Sequence, residues 1–387
     1  MKLAIVVHGR FDGFDLARAL IARGHAVTVF TNYPKWAARR FGLPDQSVRS
    51  FWLEGALSKG LHGLHQWKLL PNLDSKTHSL FGRWAAQALV KEQWNLVYAF
   101  SGVAEEVLNC LPAGACQRWV ARGSAHIRTQ DQLLADEGRR LGLPIERPTP
   151  WMVAREEREY QLADRIVTLS SFARHSFLER GVPPERVLLI RSGVNSSVFR
   201  ASQSAVLARQ QRMRSGQPLR VLYAGTFSLQ KGMADLTRVV EQSDPAQVRF
   251  QFLSNIASDA ASLFRRIKHR AEMLPRVAEQ DLPQQYAAAD LFVFASIQDG
   301  FGAVLAQANA NALPIIATTN CAAPDLLKEG ETGWVVPIRQ PGAILAQLQW
   351  CHEHRSELAE MVERIHREFL PRTWDDVAAD FERHLAG

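Results

Sequence analysis

The sequence predicts an α/β protein with two parallel-sheet domains. Short apolar runs alternate with helical patterns along the chain, which is typical of parallel strands covered by helices on both faces. Apolar runs at residues 3–8 and 26–30 flank a helix predicted for 15–23, and together they form a first βαβ unit of Rossmann type. At 387 residues the chain is too long for one ordinary core, so two domains of nearly equal size are expected.

A polar, turn-rich stretch at residues 193–218 predicts the connection between the domains. A new strand follows at 219–223. Further strands are predicted at 96–100, 119–121, 165–169 and 187–190 in the first domain, and at 248–253, 291–294, 315–317 and 334–336 in the second. A last helix over 374–385 has the apolar spacing of a helix that docks on another surface.

Charge narrows the range of partners. The net charge is +7, and the basic excess lies in the first 200 residues. This asymmetry indicates an anionic partner for the N-terminal domain, such as nucleic acid, a bilayer surface or a lipid diphosphate; a generally basic proteome explains it equally well. Because no recognised nucleic-acid module is present, a nucleic-acid partner is not expected.

Other features of the chain favour a cytoplasmic protein. No stretch approaches the roughly 18 consecutive apolar residues of a spanning helix. The N-terminus reaches Gly9 after five apolar residues, which predicts a strand rather than a signal peptide. The four cysteines lack a metal-ligand spacing and are expected to be reduced structural thiols.

Residues 33–91 are basic, aromatic and irregular. They include Lys35-Trp36, Trp52, residues 67–70 and Trp84. Tryptophan beside lysine or arginine on short helices is typical of interfacial amphipathic segments. Each ring taken singly is expected to fill the domain core. The segment therefore predicts either a packed core or a membrane-facing surface, and in the second case a protein peripheral at the inner membrane.

The most informative pattern lies at residues 291–317. An apolar strand is followed by Asp299-Gly300-Phe301-Gly302, a small-residue helix and a second strand. Gly300 and Gly302 allow a sharp turn and a close approach of backbone to a ligand. The helix directs its free N–H groups and its positive dipole end at this turn. The arrangement predicts a site for an anionic ligand, above all a phosphate.

This pattern resembles the donor-site motif of glycosyltransferase family 4, the retaining nucleotide-sugar enzymes of GT-B fold. In that family the motif reads Glu-Gly-Phe-Gly, four residues, then Glu-Ala. Here Asp299 replaces the first glutamate and Gln307 the second, with the spacing intact. The resemblance implies two Rossmann-like domains facing across a cleft, 1–195 for the acceptor and 196–370 for the donor, with 371–387 forming a helix that returns to the N-terminal domain.

The resemblance also implies roles for residues of the motif. Asp299 would contact hydroxyls of the transferred sugar, and the backbone N–H groups of Phe301 and Gly302 would bind the sugar or phosphate. Gln307 would accept a hydrogen bond from a ribose hydroxyl. Gln307 and Asn311 are one helical turn apart, so both are expected on the cleft face. Asp299 is also explained as a turn or cap aspartate.

A second ligand loop is predicted after the first strand of the second domain. Residues 225–232 form a glycine turn that presents Lys231 at the carboxyl end of a strand, where open α/β sheets bind ligands. In family 4 this loop carries an arginine and a lysine that neutralise the donor diphosphate. By resemblance, Lys231 matches the lysine, Thr226 replaces the arginine and Gly225 forms the turn. A solvated turn is the alternative explanation, but the position at the carboxyl end of a strand favours a ligand loop.

His126 is the candidate contributed by the N-terminal domain. It follows the strand at 119–121, and its place resembles that of a family histidine that hydrogen-bonds the donor sugar. A lone histidine is more often structural, so both roles stay open.

The sequence and the resemblance together predict a retaining glycosyltransferase that moves a sugar from a nucleotide-diphosphate sugar to a glycan or lipid-linked acceptor, in bacterial surface polysaccharide synthesis. The catalytic candidates are Asp299, Lys231 and His126. The sugar nucleotide is a co-substrate, and no other cofactor is expected. The chain has no Asp-x-Asp and no His/carboxylate cluster, so no metal is expected. Two alternatives stay open: a GT-B protein that binds a sugar nucleotide without turnover, and a sugar-nucleotide epimerase of the same fold.

Overall fold

Two parallel sheets organise the chain. The computed structural model describes residues 1–66 and 73–386. The strands of the first sheet are β1 (Lys2–Val7), β2 (Ala26–Thr31), β3 (Val48–Ser50), β4 (Leu96–Phe100), β5 (Gln117–Arg122), β6 (Arg165–Thr168) and β7 (Val187–Leu189). Those of the second sheet are β8 (Leu219–Ala224), β9 (Val248–Leu253), β10 (Ala271–Met273), β11 (Leu291–Phe294), β12 (Ile315–Thr318) and β13 (Gly333–Val336).

Helices connect the strands. In the first half they are α1 (Gly13–Ala22), α2 (Lys35–Arg40), α3 (Trp52–Gln66), α4 (Asp74–Leu89), α5 (Glu105–Asn109), α6 (Ile127–Leu141), α7 (Pro150–Leu162) and α8 (Ser171–Leu178). In the second half they are α9 (Gln203–Arg214), α10 (Met233–Gln242), α11 (Ala261–Ile267), α12 (Leu282–Ala288), α13 (Ala303–Ala310), α14 (Ala323–Leu326), α15 (Pro341–Glu353), α16 (Arg355–Glu368) and α17 (Trp374–Ala386).

The strand order shows two doubly wound domains. The first sheet runs β3-β2-β1-β4-β5-β6-β7 and the second β10-β9-β8-β11-β12-β13, with parallel pairing. In each sheet the chain first builds outward on one side and then returns to build on the other. The point of reversal lies between β1 and β4 in the first sheet and between β8 and β11 in the second. These switch points are where open α/β sheets leave a crevice for ligands.

The predicted α/β class and the predicted strands are confirmed. Each predicted strand is present within two residues at either end. The sequence missed β3 and β10, which are three-residue strands at the outer edges of the sheets. Both are partly exposed, so they lack the apolar run by which the buried strands are recognised.

The predicted turn-rich connection over 193–218 is wrong in its centre. Residues Gln203–Arg214 form helix α9, which packs against α16 and places Val206 and Met213 in the C-terminal core. Arg209 is also fully buried and donates hydrogen bonds to four backbone carbonyl oxygens, including that of Tyr286. This arginine occupies a buried position of the helix because its hydrogen bonds to carbonyl oxygens compensate for burial. It therefore interrupts the apolar spacing by which a packed helix is recognised in sequence.

Helix α17 packs on the N-terminal domain. Val377, Ala378 and Phe381 join the core formed with α1, and the Phe381 ring lies 5.0 Å from that of Tyr98. Outside this core, Glu382 accepts hydrogen bonds from Arg23 at 2.7 Å. The chain therefore ends on the domain from which it started.

The two domains meet along the cleft. Ser124 Oγ donates to Gln298 Oε1 at 2.7 Å, and Ser171 N–H donates to Asp325 at 2.7 Å. The backbones of the two domains also approach each other at Gly300, where an added Cβ would lie 2.1 Å from the carbonyl oxygen of Gly123. The glycine turn predicted to hold a ligand thus also forms a contact between the domains.

Candidate active site

Lys231 and Asp299 meet at the switch point of the C-terminal domain. Lys231 follows β8 and Asp299 follows β11, and Nζ lies 2.5 Å from Oδ2. Gly232 makes this approach feasible, because an added Cβ would lie 1.8 Å from the carbonyl oxygen of Ala295. Both side chains are about one-fifth exposed, 22% for Lys231 and 18% for Asp299, so the pair is accessible to solvent.

The glycine turn adopts the geometry that its sequence predicts. Gly302 has φ 78°, a left-handed conformation that suits glycine, and it precedes the first residue of α13. Asp299 Oδ1 accepts a hydrogen bond from the Phe301 N–H at 3.2 Å. Asp299 thus fills its turn role and also pairs with Lys231. Phe301 itself is buried, and both of its backbone polar groups have partners, since its carbonyl oxygen accepts a hydrogen bond from the Ala322 N–H.

A cavity of about 290 Å³ lies in the C-terminal domain beside helix α13, which follows this turn. Its lining includes Gly225, Thr226, Arg276, Tyr286 and Gln307. The Tyr286 hydroxyl donates to Gln307 Oε1 at 2.9 Å. Burial raises the pKa of Tyr286, so its hydroxyl keeps the proton that it donates. This bond fixes the amide of Gln307 at the cavity wall.

One residue predicted on the cleft face lies elsewhere. Asn311 is buried, and its side-chain amide donates to the backbone carbonyl of Gln307 at 2.8 Å. The helix ends at Ala310, so the turn-to-turn spacing no longer places Asn311 beside Gln307.

His126 occupies the N-cap of α6. Its Nδ1 accepts a hydrogen bond from the Arg128 N–H at 3.2 Å, and its ring packs against Tyr160 and Phe177. Burial lowers the pKa of His126 to about 4, so the ring is neutral near pH 7. His126 therefore caps and packs helix α6, which is a structural role. His126 lies two residues from Ser124, which contacts the C-terminal domain. Its contact with a donor sugar stays a prediction.

A large cavity of about 1200 Å³ opens at the switch point of the N-terminal domain. His8 and Gly9 follow β1 at its floor. Its rim carries Lys35, Trp36, Trp52 and Lys59. The two tryptophans are 60% and 54% exposed. They are therefore not the core rings that the sequence also allowed.

Sequence reasoning missed two polar residues that line this cavity, His8 and His78, and the buried Glu54 beside them. His8 Nε2 lies 3.1 Å from Glu54 Oε1, and the rings of His8 and His78 lie 4.9 Å apart. Burial lowers the pKa of His78, and the neighbouring His8 lowers it further. His8 carried one usable signal, its position directly after the first strand. Glu54 and His78 carried none, because they come from helices far along the chain.

The other wide opening lies between the domains. A cavity of about 470 Å³ shares His78 with the larger one and extends to Gln230 in the C-terminal domain. Gln230 precedes Lys231, so this cavity reaches the C-terminal domain next to its switch point. Among the described residues no group of three or more His, Cys, Asp or Glu side chains is placed to hold a metal ion. No described helix is long and apolar enough to span a bilayer.

Comparison with known protein families agrees with this architecture. A family model described as glycosyl transferases group 1 matches residues 218–354, and one described as Glycosyltransferase Family 4 matches residues 14–198. The first match lies in the C-terminal domain and the second in the N-terminal domain. The chain belongs to the group 1, family 4 glycosyltransferases. The family that the donor motif resembles is thereby confirmed.

Curated relatives of this chain share low identity with it. The O-antigen chain mannosyltransferase B of Escherichia coli is 24% identical over 196 residues, which is 48% of this chain and 51% of the relative. A D-inositol 3-phosphate glycosyltransferase of Streptomyces avermitilis is 24% identical over 389 residues, or 94% and 80%. In the first relatives that it matches, the chain spans about half of their length.

Solved structures confirm the GT-B fold. Anabaena Alr3699/HepE in complex with UDP superimposes with a TM-score of 0.70 at 15% identity, covering 100% of both chains. The catalytic domain of starch synthase IV from Arabidopsis thaliana, bound to ADP and acarbose, gives 0.67 at 12% identity and covers 99% and 98%. These likenesses establish two Rossmann-like domains facing across a cleft.

Proposed function

We propose that the protein is a retaining glycosyltransferase that binds a nucleoside-diphosphate sugar in its C-terminal domain and an acceptor in its N-terminal domain. The observation that carries the proposal is the Lys231–Asp299 pair, which stands at the donor-domain switch point and is accessible to solvent. It combines a fixed cation with a glycine turn and the N-terminus of α13. Those are the groups that a diphosphate and its sugar require.

In this proposal the donor lies along the C-terminal side of the cleft. The nucleoside occupies the cavity of about 290 Å³, with a ribose hydroxyl bonded to Gln307. The diphosphate lies by Lys231 and the amino end of α13. The sugar lies beside Asp299, near the loop that bears Ser124 and His126. Anabaena Alr3699/HepE was solved with UDP-glucose, and this likeness favours a uridine nucleotide as the first donor to test.

Lys231 has a direct part in the chemistry. When the bond from the anomeric carbon to the phosphate oxygen breaks, its electron pair leaves with the nucleoside diphosphate. A preorganised cation that meets this developing charge lowers the barrier. Asp299 holds Lys231 in place before the donor arrives. The bond to the acceptor forms on the face from which the diphosphate leaves, as family membership implies, so the anomeric configuration is retained.

The acceptor is expected to be lipid-linked and to be reached from a membrane surface. Exposed Trp36 and Trp52 stand beside Lys35 and Lys59 at the rim of the large cavity. Leu53 and Leu57 of α3 are exposed as well, at 61% and 51%. An apolar rim with basic neighbours suits an anionic bilayer at the inner membrane. Relatives named for O-antigen and colanic acid synthesis favour a role in surface polysaccharide assembly.

A donor screen tests the proposed reaction. The protein is incubated with UDP, GDP and ADP sugars, with and without octyl glycosides as acceptors, and products are separated by chromatography. Transfer needs both substrates, epimerisation needs the donor alone, and a binding protein forms neither product. A ligand at 100 times its dissociation constant should add about 2.7 kcal/mol to the free energy of unfolding. Transfer should persist in EDTA, because Lys231 and helix ends hold the diphosphate.

Vesicle co-sedimentation tests the membrane surface. The parent protein should bind vesicles of phosphatidylglycerol and phosphatidylcholine more than vesicles of phosphatidylcholine alone, and salt should weaken the binding, since each basic group near such a surface is worth about 1 kcal/mol. Trp52→Ser should reduce the binding. Leu370→Ser is the control, because Leu370 is 88% exposed and lies outside residues 33–91. Residues 67–70, part of the predicted segment, lie outside the described residues.

A further inference from the structure

Arg276 gives the nucleoside cavity its charge. Among the described residues that line the cavity of about 290 Å³, it alone has an ionised side chain; the others are apolar or neutral, such as Thr226 and Gln307. Arg276 is exposed, and its side chain makes no hydrogen bond or ion pair within the described part of the chain. A guanidinium presents five N–H donors in a planar fork that suits phosphate oxygens. The cavity thus offers free donors to an anionic ligand.

The place of Arg276 in the fold brings it near the amino end of α13. Arg276 reaches the cavity from the loop after β10, Asn255 from the end of β9 and Thr226 from the end of β8. These three strands are parallel neighbours, so their carboxyl ends meet at one edge of the sheet. Val304 and Gln307 of α13 also line the cavity. Because Val304 is the second residue of α13, the cavity extends from Gln307 toward the amino end of that helix.

The loop that bears Arg276 is tied to the N-terminal domain. Glu279, the first acidic residue after Arg276, accepts a hydrogen bond from Arg10 at 3.0 Å. Arg10 belongs to the loop after β1, so this bond crosses between the domains. The charge of Glu279 is balanced by Arg10 and not by Arg276. The positive charge of Arg276 therefore remains available to a ligand.

A bound diphosphate needs more positive charge than Lys231 supplies. Each phosphate of a sugar nucleotide carries a negative charge, and the departing nucleoside diphosphate gains another. Lys231 is already paired with Asp299 at 2.5 Å, so this pair has no net charge. The amino end of α13 contributes roughly half an elementary charge. The remaining charge of the diphosphate calls for a second cation, and Arg276 is placed to provide it.

We propose that Arg276 binds the phosphate that is attached to the ribose, while Lys231 serves the phosphate that is attached to the sugar. The division follows from position. Arg276 shares its cavity with Gln307, where the ribose is placed, whereas Lys231 pairs with Asp299, beside the sugar. This inference rests on the proposed function and adds a second residue that binds the donor diphosphate.

The experiment measures binding to the full chain. UDP, GDP and ADP are titrated by calorimetry, and the tightest binder is studied together with its monophosphate and its nucleoside, the last by competition. Loss of a hydrogen bond to a charged group weakens binding by about 10–100-fold. Arg276→Ala should raise the Kd of both the diphosphate and the monophosphate by this factor and leave the nucleoside unchanged. Lys231→Ala should weaken the diphosphate more than the monophosphate.

Two further variants complete the test. Arg214→Ala removes an exposed arginine of the same domain that lies outside the cavity, so it should bind all three ligands like the parent. Thr226 lines the cavity and is exposed, and its backbone carbonyl, not its side chain, accepts the Tyr223 hydroxyl. An arginine at this position therefore has room. Thr226→Arg in the Arg276→Ala protein should recover most of the lost affinity for the diphosphate.

The outcomes separate this inference from the proposed function. Selective loss of the two phosphorylated ligands, with recovery by Thr226→Arg, supports the role of Arg276. Unchanged affinity of Arg276→Ala, equal weakening of the nucleoside, or no recovery by Thr226→Arg overturns it while the proposed transferase stands. A parent that binds nucleotide but transfers no sugar overturns the proposed function, and the binding data still decide the role of Arg276. A parent that binds none of the three nucleotides overturns both.

Discussion

The two switch points of the molecule differ in the groups that they present to a ligand. The donor-domain switch point consists of glycine turns, the amino end of α13 and the single pair Lys231–Asp299. The N-terminal switch point consists of side chains, among them His8, Glu54 and the exposed rings of the rim. Backbone groups and dipoles suit the diphosphate, which is common to all sugar nucleotides. Side chains suit the acceptor, whose chemistry differs from one enzyme to another.

This difference decides how each site should respond to substitution. At the donor switch point the backbone itself approaches other backbone, so added atoms are harmful even when they are apolar. At the rim of the N-terminal switch point Trp36 and Trp52 are exposed, so there the chemical group that is removed matters more than its volume. The predictions below test the donor half of this comparison in order of expected effect.

Gly300→Ala should have the largest effect. An added Cβ would lie 2.1 Å from the Gly123 carbonyl oxygen, so the domains cannot keep their contact. Holding two reactants together lowers the barrier by about 7–11 kcal/mol in favourable cases. Because separated domains lose this contribution, sugar transfer should fall below detection. Small-angle scattering should show a more open molecule. Gly342→Ala is the control, because no atom lies within 4 Å of its added Cβ. Normal turnover by Gly300→Ala would show that the contact is dispensable.

Lys231→Ala should lower kcat/KM by about 2.7–4 kcal/mol of transition-state stabilisation, the cost of losing one preorganised charge-stabilising donor. Stability should change little, because Lys231 is partly exposed. Steady-state kinetics and thermal melting measure the two effects. The exposed Lys268→Ala serves as the charge control. Lys231→Ala leaves the Asp299 carboxylate without its partner. The double variant Lys231→Ala/Asp299→Asn shows whether that unpaired charge accounts for part of the lower kcat/KM. An unchanged rate would remove Lys231 from the site.

Gln307 tests the nucleoside cavity. Gln307→Leu should weaken nucleotide binding by about 1–3 kcal/mol, since a ribose hydroxyl is left unpaired. Gln307→Glu should keep or tighten binding, because a carboxylate is the stronger acceptor. Calorimetric titration gives both values. Gln307→Leu also removes the hydrogen-bond acceptor of the Tyr286 hydroxyl. The effect of Gln307→Leu is therefore also measured in a protein that carries Tyr286→Phe. If both variants bind like the parent but melt earlier, Gln307 is a packing residue.

Substitution of His126 should give the smallest effect, a change in how protein stability depends on pH below neutrality. Its pKa is about 4 when folded and about 6.5 when unfolded, so the unfolded chain binds the proton first as pH falls from 6.5 to 4. His126 therefore lowers stability over that window. His126→Asn keeps an N-cap and should reduce the fall in Tm between pH 7 and 5 by about 2 °C. An identical fall would show that the ring titrates normally. A large loss of turnover at pH 7 would instead support a donor contact.

Local patterns in the sequence were enough to predict much of the donor site. The strand, glycine turn and helix around Asp299 lie within some twenty residues, and their residue types fix φ and the direction of the free N–H groups. The structure has the turn at Gly302 as expected. Helix α9 was missed, because its buried Arg209 satisfies backbone carbonyls and so disguises the apolar period.

What the sequence by itself determined is the α/β class, the buried strands and the family of the donor motif, because each depends on residues close together in the chain. Tertiary structure alone decided three contacts. Lys231 meets Asp299, Glu54 meets His8, and Gly300 meets Gly123. The order of strands within each sheet and the docking of one domain on the other bring these residues together. No local period encodes that order, since parallel strands far apart in sequence become neighbours only when the crossover helices are in place.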